Sequence, residues 1–243
     1  MRTIQVQSVY DEPIVTLDDS SAAAESTYPL YALPAEAPVD SWRYRFVKRS
    51  FDILFALLMA AAFAVPCLVI AALIRITTNG PIFYREERIG REGVPFRIWK
   101  FRSMRPTLPA RSVAGARAER VVLQWRMKKH HHDPRITRIG GFLRRWSLDE
   151  LPQILNVLRG EMSLIGPRPI IEAETSQYRN LLRFYLAATP GLSGLWQVSG
   201  RSDIDYEERA KLDASYVCAW SLRLDFKILL RTIPAVLGRV GAR

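Results

Sequence analysis

One long uncharged stretch dominates the hydrophobic pattern of this chain. Residues 53–74 are 22 consecutive residues without a charge, and as a helix they reach about 33 Å, enough to cross the hydrocarbon core of a bilayer. Pro66 lies near the middle, where it removes a backbone hydrogen bond and favours a kink or break. Basic residues flank both ends, so positive charge assigns no orientation. A spanning helix and a helix-break-helix that re-enters one side of the membrane both fit the pattern.

After this stretch, the polar and apolar positions predict a small hairpin and then mostly helices. Residues 82–88 and 94–102 flank a glycine-containing turn and predict two strands with basic residues among aromatic ones. Gly140-Gly141 predicts a bend, and helices are expected over residues 107–130, 151–158, 170–187 and 203–219. Residues 220–237 are typical both of a helix at a membrane interface and of an amphipathic core helix. The predicted class is α+β, mostly helical with a small β-hairpin.

Charge is distributed unevenly along the chain. Residues 1–42 have seven acidic side chains and one basic one, a net charge of −6, whereas the remaining 201 residues carry +17 of the total of +11. The acidic, proline-punctuated segment predicts a disordered or loosely attached tail. Residues 43–76 are expected to be a basic lead-in and membrane helix, and residues 77–243 a folded domain. Its basic character predicts an anionic partner, for which lipid or nucleotide is a simpler choice than nucleic acid beside a bilayer-length segment.

Two adjacent carboxylates, Asp149 and Glu150, lie at the predicted start of a helix. Pro152 locates this start, because a proline ring is tolerated only in the first helical turn. Two registers are open: Ser147 caps the helix in a capping box with Glu150, or the helix begins nearer Leu151 and both acids lie in the approach. In both, the helix dipole favours ionised carboxylates. An ionised carboxylate serves as a nucleophile or a metal ligand, although a simple helix cap has the same pattern.

Cationic side chains accompany the acid pair. Arg144 precedes it, and Arg168 lies in a Gly-Pro-Arg-Pro run whose stiff backbone lowers the entropic cost of holding an anion. Lys100 and Arg102 in the second predicted strand, and Arg201 in a flexible turn, either bind phosphate or belong to a solvated face. The segment around the acid pair therefore has a composition suited to handling phosphate.

Nine short motifs follow one another along the chain. They are Lys48-Arg49-x-x-Asp52, Gly80-Pro81-Ile82-Phe83, Lys100-Phe101-Arg102-Ser103-Met104, Asp133-Pro134-Arg135, Arg144-x-x-Ser147-Leu148-Asp149-Glu150-Leu151-Pro152-Gln153, Gly160-Glu161-Met162-Ser163, Gly166-Pro167-Arg168-Pro169, Pro190-Gly191-Leu192-Ser193-Gly194 and Gln197-Val198-Ser199-Gly200-Arg201. Over about residues 46–235 the chain thereby resembles the small monotopic polyprenyl-phosphate glycosyl-1-phosphate transferases. These are bacterial sugar transferases that initiate exopolysaccharide, O-antigen and glycan assembly. The number and order of the motifs argue against a chance resemblance.

The resemblance implies a covalent reaction at Asp149. In this reaction Asp149 attacks the sugar-bearing phosphate of a UDP-sugar and UMP leaves. A polyprenyl phosphate then takes the phosphosugar, expected to be that of glucose or galactose, from Asp149. Mg²⁺, held by Asp149 and Glu150, is the expected cofactor, since its ligands are hard oxygens. The phosphate-binding residues expected from the resemblance are Arg144, Arg168, Lys100, Arg102 and Arg201.

The resemblance also implies a monotopic protein with a re-entrant helix broken at Pro66 and interfacial amphipathic helices. Both ends of the re-entrant helix would lie on the cytoplasmic face of the bacterial inner membrane, beside the catalytic domain of residues 77–243. The expected partners are a UDP-sugar, polyprenyl phosphate and inner-membrane lipids, without nucleic acid, and a homodimer is compatible with the sequence. The residues alone leave two other hypotheses open: a non-enzymatic membrane-surface module, and a membrane-anchored nucleotide-sugar hydrolase.

Overall fold

A computed structural model describes residues 38–105, 135–199 and 205–237 of the chain. The helices are α1 (Arg49–Thr77), α2 (Arg138–Arg145), α3 (Ile154–Arg159), α4 (Glu172–Tyr178), α5 (Leu182–Ala187), α6 (Leu195–Ser199), α7 (Tyr206–Cys218) and α8 (Leu222–Leu237). The strands are β1 (Phe83–Ile89), β2 (Pro95–Phe101), β3 (Ser163–Ile165) and β4 (Gly191–Ser193). The helix predicted at 107–130, nearly all of the acidic tail, and Arg201 lie outside the described residues. The predicted mostly helical class with a small antiparallel hairpin is confirmed.

The predicted hairpin is present with nearly the expected bounds. Strands β1 and β2 pair antiparallel from Phe83 opposite Phe101 to Ile89 opposite Pro95. A 3-10 turn, Arg91–Gly93, joins them, and its Gly93 has a φ of 79°, a conformation that glycine adopts without steric cost. On one face, the guanidinium of Arg85 lies 3.7 Å from the centre of the Trp99 ring. The mixture of basic and aromatic residues in this segment thus includes a cation–π contact within the hairpin.

Strands β3 and β4 form a short parallel pair that the sequence pattern did not predict. Ser163 is paired with Gly191, and Ile165 with Ser193. A Cβ added to Gly191 would lie 2.1 Å from the backbone nitrogen of Gly166, so a side chain at this position has no room. The pairing places the segment before Pro167-Arg168-Pro169 against the Pro-Gly-Leu-Ser-Gly segment. Three-residue strands carry too little alternation to be recognised from their own residues.

Helix α1 is continuous from Arg49 to Thr77, with Pro66 inside it. The helix is therefore not divided into two helices at Pro66, where a break was expected. One stripe of α1 packs on the protein on both sides of the proline, through Phe51 and Ala56 before it and Ile70 and Ile74 after it. This packing on both sides offsets the backbone hydrogen bond that proline removes.

The segment containing α1 has the length and composition of a membrane helix. The most apolar 18-residue window within Tyr44–Thr77 has a mean hydropathy of 2.8, and only 11% of this window is buried. The outward face exposes large apolar side chains: Leu54, Leu57, Leu58, Val65, Leu68, Val69, Leu73 and Ile76. Whether the segment spans the bilayer or re-enters one face stays a prediction.

A buried polar cluster fastens the start of α1 to the C-terminal part of the domain. Lys48 Nζ lies 2.7 Å from Asp225 Oδ2, and both side chains are almost fully buried. Asp225 also accepts hydrogen bonds from the hydroxyl of Tyr216 and from Trp220 Nε1. Asp52, one turn into α1, accepts from Ser163 Oγ. The buried charges are therefore paired and hydrogen-bonded, as burial of a charge requires.

Two further predictions about local structure need correction. Gly140-Gly141 lies inside α2 and not at a bend, because Thr137 caps that helix by accepting a hydrogen bond from Gly140 N. A Cβ on Gly140 would lie 1.9 Å from the carbonyl oxygen of Ser103, so close packing explains this glycine. The helix predicted over 170–187 is divided into α4 and α5 at Arg179, whose φ of 47° interrupts helical geometry.

The helix predicted over 203–219 is observed as α7, with Asp205 as its N-cap, and the C-terminal amphipathic segment is observed as α8. Leu224 and Ile228 of α8 are buried in the main core, whereas Phe226, Leu230 and Ile233 are exposed. Helix α8 thus has both a core face and an exposed apolar face. An interfacial position at the membrane stays a prediction.

Candidate active site

Asp149 and Glu150 lie in a 3-10 turn, Leu148–Gln153, that leads into α3. Ser147 precedes the turn with φ 55° and ψ 20°, a left-handed conformation uncommon for serine, and its side chain makes no capping hydrogen bond. The capping-box register is therefore wrong, and the register with both acids in the approach to the helix is the better description. The left-handed residue turns the chain sharply just before the two carboxylates.

Glu150 is held by the hairpin. Lys100 Nζ, from β2, lies 2.8 Å from Glu150 Oε1. Burial alone would raise the pKa of the Glu150 carboxyl, but the charges of Lys100, Arg168 and Arg88 outweigh burial and lower it. Glu150 is therefore an ionised carboxylate at neutral pH.

The position of Lys100 is set by a buried asparagine of α3. Asn156 Oδ1 accepts a hydrogen bond from Trp99 N, and Asn156 Nδ2 donates to the carbonyl of Arg97. These two bonds fix strand β2 along α3 within a few residues of Lys100. Sequence analysis gave Asn156 no role, since a single asparagine in a helix carries no pattern.

Asp149 is in a different electrostatic state from its neighbour. Burial, and then the adjacent charge of Glu150, raise the pKa of the Asp149 carboxyl to about 6, while Lys100 and Arg144 act in the opposite direction. Two carboxylates side by side thus differ in proton affinity. Asp149 is the more basic of the two, and at neutral pH it is mostly ionised and more nucleophilic than an ordinary aspartate.

A cleft adjoins Glu150. Its polar lining comes from five different parts of the chain: Arg88, Lys100, Gln153, Arg168 and Gln197. Its four charged side chains are three cations and the carboxylate of Glu150. This excess of positive charge suits an anionic ligand. Gln153 and Gln197 occur in the motifs, although sequence analysis assigned them no role.

Arg168 and Arg209 lie on the same aromatic ring. Their guanidinium carbons are 5.4 and 5.0 Å from the centre of the Trp196 ring. Burial and the like charge of Arg209 lower the pKa of Arg168. The backbone N–H of Arg168 donates to Asp213, a carboxyl whose pKa is raised by burial to about 7. Two guanidinium groups held this close favour an anion between or beside them.

Arg88 and Arg209 are cations that sequence analysis missed. Arg88 Nε, and Arg209 Nε and Nη2, are buried without a hydrogen-bond partner among the described residues. Buried donors of this kind are satisfied when an anion with several acceptor oxygens binds. Arg88 alternates with acidic residues in β1 and Arg209 lies on the buried face of α7, so neither stands out in the sequence.

The structure brings together most of the predicted site residues. Lys100 and Arg168 both act on Glu150, and Arg144 acts on Asp149 through its charge. Arg102 is engaged elsewhere: its guanidinium donates to the carbonyl of Asn79 and to Thr78 Oγ1, at the end of α1. Within the described residues Arg102 therefore fastens the hairpin to α1. The catalytic and phosphate-binding roles of all these residues stay predictions.

The two carboxylates at this turn fit the predicted Mg²⁺ only in a binding mode in which other groups complete its coordination. No group of three or more acidic, histidine or cysteine side chains suited to a metal occurs in the three described segments. Mg²⁺ is commonly bound by one or two carboxylates together with substrate phosphates and water. The negative charge of Glu150 contributes to the raised pKa of Asp149. A cation bound at the turn would relieve this repulsion between the two carboxylates. Mg²⁺ binding here stays a prediction.

Comparison with known proteins identifies the family. The family model described as bacterial sugar transferase matches residues 43–239. UDP-galactose-lipid carrier transferase from Erwinia amylovora is 48% identical over 205 residues, which cover 82% of this chain and 42% of that protein. Exopolysaccharide production protein ExoY from Sinorhizobium fredii is 44% identical over 191 residues, covering 78% of this chain and 84% of ExoY.

A third relative is UDP-glucose:undecaprenyl-phosphate glucose-1-phosphate transferase from Escherichia coli. It is 37% identical over 213 residues, which cover 84% of this chain and 42% of that protein. The matched part thus spans under half of the Erwinia and Escherichia relatives and most of ExoY. The region that the family model matches, residues 43–239, contains the acid turn, the hairpin and both short parallel strands. The resemblance drawn from the motifs is confirmed, and the chain belongs to the bacterial sugar transferase family.

Proposed function

We propose that this chain transfers a sugar 1-phosphate from a UDP-sugar to polyprenyl phosphate and releases UMP. The observation that carries the proposal is the Asp149-Glu150 turn, in which a basic Asp149 carboxylate is adjacent to Glu150, and Glu150 lines a cleft together with three cations. The names of two relatives support the substrate classes, since they pair undecaprenyl phosphate with galactose or with UDP-glucose. The sugar is accordingly proposed to be a hexose of the glucose or galactose type.

In the first half-reaction, an Asp149 carboxylate oxygen forms a bond to the β-phosphorus of the UDP-sugar. The bond from that phosphorus to the bridging oxygen breaks, and UMP leaves with the electron pair. A sugar phosphate is then esterified to Asp149 as an acyl phosphate. A carboxylate ionised at neutral pH and more basic than usual is suited to this attack.

In the second half-reaction, an oxygen of polyprenyl phosphate attacks the same phosphorus. The bond to Asp149 breaks, the carboxylate is regenerated, and polyprenyl-diphosphate-sugar is formed. Lys100, Arg168 and Arg144 stabilise the negative charge that the phosphate oxygens carry during both transfers. Bound Mg²⁺, held by Asp149 or Glu150 with the substrate phosphates, would neutralise further phosphate charge.

We also propose that α1 bends at Pro66 and re-enters the membrane, so that both its ends lie on the cytoplasmic face of the bacterial inner membrane. The supporting observation is that one domain makes polar contacts at both ends. Lys48 pairs with Asp225 at the start of α1, and Thr78 accepts from Arg102 just after its end. In a straight spanning helix these contacts would lie about 40 Å apart along the membrane normal. A cationic domain in contact with both ends is more readily accommodated on one side of the bilayer.

Release of UMP before any lipid is added tests the chemistry. Purified protein incubated with a UDP-sugar and Mg²⁺ is expected to release about one UMP per chain and to gain a hexose phosphate on the peptide containing Asp149. Asp149→Asn is expected to lose both signals while remaining membrane-bound. Absence of UMP and of the adduct would contradict the proposal and favour a non-enzymatic membrane module. Continuous release of sugar phosphate to water, without lipid, would indicate a hydrolase instead.

Reporter fusions test the topology independently. Each fusion carries either a reporter that is active only in the cytoplasm or one that is active only in the periplasm. On the N-terminal segment and after α8, only the cytoplasmic reporter is expected to be active. A periplasmic N-terminal reporter would mean that α1 spans the membrane. This result would leave the chemical proposal unaffected.

A further inference from the structure

A second cationic cavity lies at the start of the membrane helix. Its volume is about 170 Å³, and its lining includes Tyr44, four cations and one carboxylate: Arg45, Lys48, Arg49, Arg91 and Asp52. None of its lining residues belongs to the cleft beside Glu150. The proposed transfer reaction therefore makes no use of this cavity.

The cavity has a rigid wall. The backbone N–H of Thr189 donates to the hydroxyl of the buried Tyr44, at 3.0 Å. Lys48 Nζ and the guanidinium of Arg91 lie 5.9 and 5.8 Å from the centre of the Tyr44 ring. Arg49 is oriented by donating to the carbonyls of Val157 and Leu158. The side chains that surround the cavity are thus held by contacts with one another and, for Arg49, by hydrogen bonds to residues outside it.

The charges around the cavity are only partly compensated. Lys48 is neutralised by Asp225 at 2.7 Å, with Asp52 at 4.0 Å. No carboxylate pairs with Arg45 or Arg49 in the segments that the structure describes. Arg45 is exposed at the rim, whereas Arg49 is partly buried. Two guanidinium groups without an acidic partner make the cavity attractive to a phosphate.

The position of the cavity along the chain corresponds to the headgroup level of a bilayer. Arg45 and Arg49 lie one to two turns before the uncharged stretch that starts at Ile53. Trp42 and Phe46, which flank Arg45, are 64% and 69% exposed. Exposed aromatic residues next to arginine are typical of the interface between hydrocarbon and water. The cavity is smaller than the roughly 300–1,000 Å³ pockets that hold whole drug-sized ligands, so it suits a headgroup phosphate better than a nucleotide.

We propose that this cavity binds the phosphate headgroup of an anionic glycerophospholipid. The lipid phosphate accepts hydrogen bonds from Arg45 and Arg49, with Arg91 closing the site from the hairpin turn. The acyl chains lie along the exposed apolar face at the start of α1. Occupation of the cavity fixes the depth of α1 relative to the headgroups.

Lipid retention in native mass spectrometry tests this site. The full chain is placed in phosphatidylcholine nanodiscs with a minor fraction of phosphatidylglycerol, and the lipids that remain on the ejected protein are identified. One phosphatidylglycerol is expected to be retained, with little phosphatidylcholine. Arg45→Gln is expected to lower the retained phosphatidylglycerol about tenfold, the effect of losing one hydrogen bond to a charged group in the cavity. Arg45→Lys should retain part of the binding.

Arg43→Gln is the matched control. Arg43 is an exposed cation two residues away that contacts the Trp42 ring and does not line the cavity. The substitution Arg43→Gln removes one positive charge from the same segment but none from the cavity, so the retention of phosphatidylglycerol should be unchanged. An equal loss in Arg43→Gln would show general surface attraction and overturn the proposal, as would full retention in Arg45→Gln.

Two competitors separate the sources of phosphate. Displacement of phosphatidylglycerol by millimolar inorganic phosphate would assign the cavity to a free anion and overturn the lipid assignment. Displacement by an equimolar amount of polyprenyl phosphate would make the cavity an acceptor site and also overturn it. Neither competitor is expected to displace the lipid. The measurement needs no UDP-sugar, so its outcome is independent of the proposed transferase reaction.

Discussion

Lys100 and Glu150 are 50 residues apart in the sequence, yet Lys100 Nζ lies 2.8 Å from Glu150 Oε1. This contact joins the second strand of the hairpin to the turn that carries Asp149. Because Lys100 also lowers the proton affinity of Asp149, one lysine acts on both carboxylates. The hairpin is therefore an electrostatic part of the candidate site as well as a structural one.

Replacing Lys100 should impair the first half-reaction and shift its pH dependence. In Lys100→Met, the pKa values of both carboxyls rise because their shared cation is lost. We expect UMP release at neutral pH to fall roughly 100-fold, as when one stabilising donor is removed from an active site. The pH midpoint of UMP release should move upward. Lys211→Met, which removes a half-buried partner of Glu207 far from the acid turn in the sequence, serves as control and should leave both quantities unchanged.

The pH profile of the enzyme should follow the Asp149 carboxyl. The attacking form is the carboxylate, so adduct formation should fall as the pH decreases through about 6, its raised pKa. In Glu150→Gln the adjacent negative charge is absent, so this midpoint should move to lower pH. Quenched-flow measurement of UMP release over a pH series gives both midpoints. An unchanged midpoint in Glu150→Gln would show that the two carboxyls do not interact.

Asp149→Asn should stabilise the fold at neutral pH. The folded-state pKa of about 6 lies above the ordinary value of 3.8, so the folded state loses stability as the pH rises from 3.8 to 6. Above pH 6 the unsubstituted protein has lost all of this stability. Asp149→Asn does not suffer the loss, because its amide carries no charge. We expect a gain of about 1–2 kcal/mol in unfolding free energy at pH 7.5, reduced from the full shift because the group is partly exposed.

This gain should disappear near pH 4, where Asp149 is protonated in the folded state. Chemical denaturation in detergent at the two pH values measures the difference. A helix-cap role for Asp149 predicts the opposite sign, since loss of a cap destabilises by about 1 kcal/mol. The sign of the change thus separates the two roles.

Arg209 should contribute to binding of the nucleotide sugar. Arg209→Lys keeps the charge but loses the planar set of donors, two of which are buried without a partner among the described residues. We expect KM for the UDP-sugar to rise about tenfold with a smaller change in kcat, the cost of about one charge-assisted hydrogen bond. The exposed Arg223→Lys is the control. A fall in kcat at constant KM would place Arg209 in the transfer step instead.

Asp225→Asn should destabilise the whole domain. It leaves the ammonium group of Lys48 buried without its main anionic partner, a change that typically costs about 3–5 kcal/mol. Thermal unfolding in detergent should show a large decrease in Tm. The double variant Lys48→Met/Asp225→Leu removes both charges and should recover most of the loss. Failure of the double variant to recover would point to the hydrogen bonds from Tyr216 and Trp220 as the main contribution.

Features encoded by neighbouring residues were predictable from the sequence. The hairpin follows from two alternating segments around a glycine-containing turn, and α1 follows from its uncharged length. Gly160 ends α3 with a φ of 84°, a conformation for which glycine is the usual residue after a helix. The acid pair was located correctly, and of the two registers left open the structure fits the one without a Ser147 capping box. The sequence did not decide between them, because the left-handed conformation of Ser147 is not one that serine itself favours.

Features that depend on distant parts of the chain were not predictable. The parallel pairing of β3 and β4 joins segments that are each too short to show a pattern. Arg88 of β1 reaches the cleft, and Arg209 of α7 reaches the Trp196 ring that Arg168 also contacts, only once the chain has folded. Their side chains alone do not distinguish them from surface arginines. Arg102 shows the converse: its place in a motif suggested phosphate, whereas its hydrogen bonds go to Thr78 and Asn79.

The pairing of Lys48 with Asp225 has a consequence for biogenesis. The two residues are separated by 177 positions in the sequence. Asp52 likewise accepts its hydrogen bond from Ser163, which lies 111 positions later. The hydrophobic segment therefore leaves the ribosome long before the residues that neutralise its polar end have been synthesised. Among the described helices, α8 is synthesised after all the others and completes the attachment of α1, so this polar cluster closes only after the hydrophobic segment has left the ribosome.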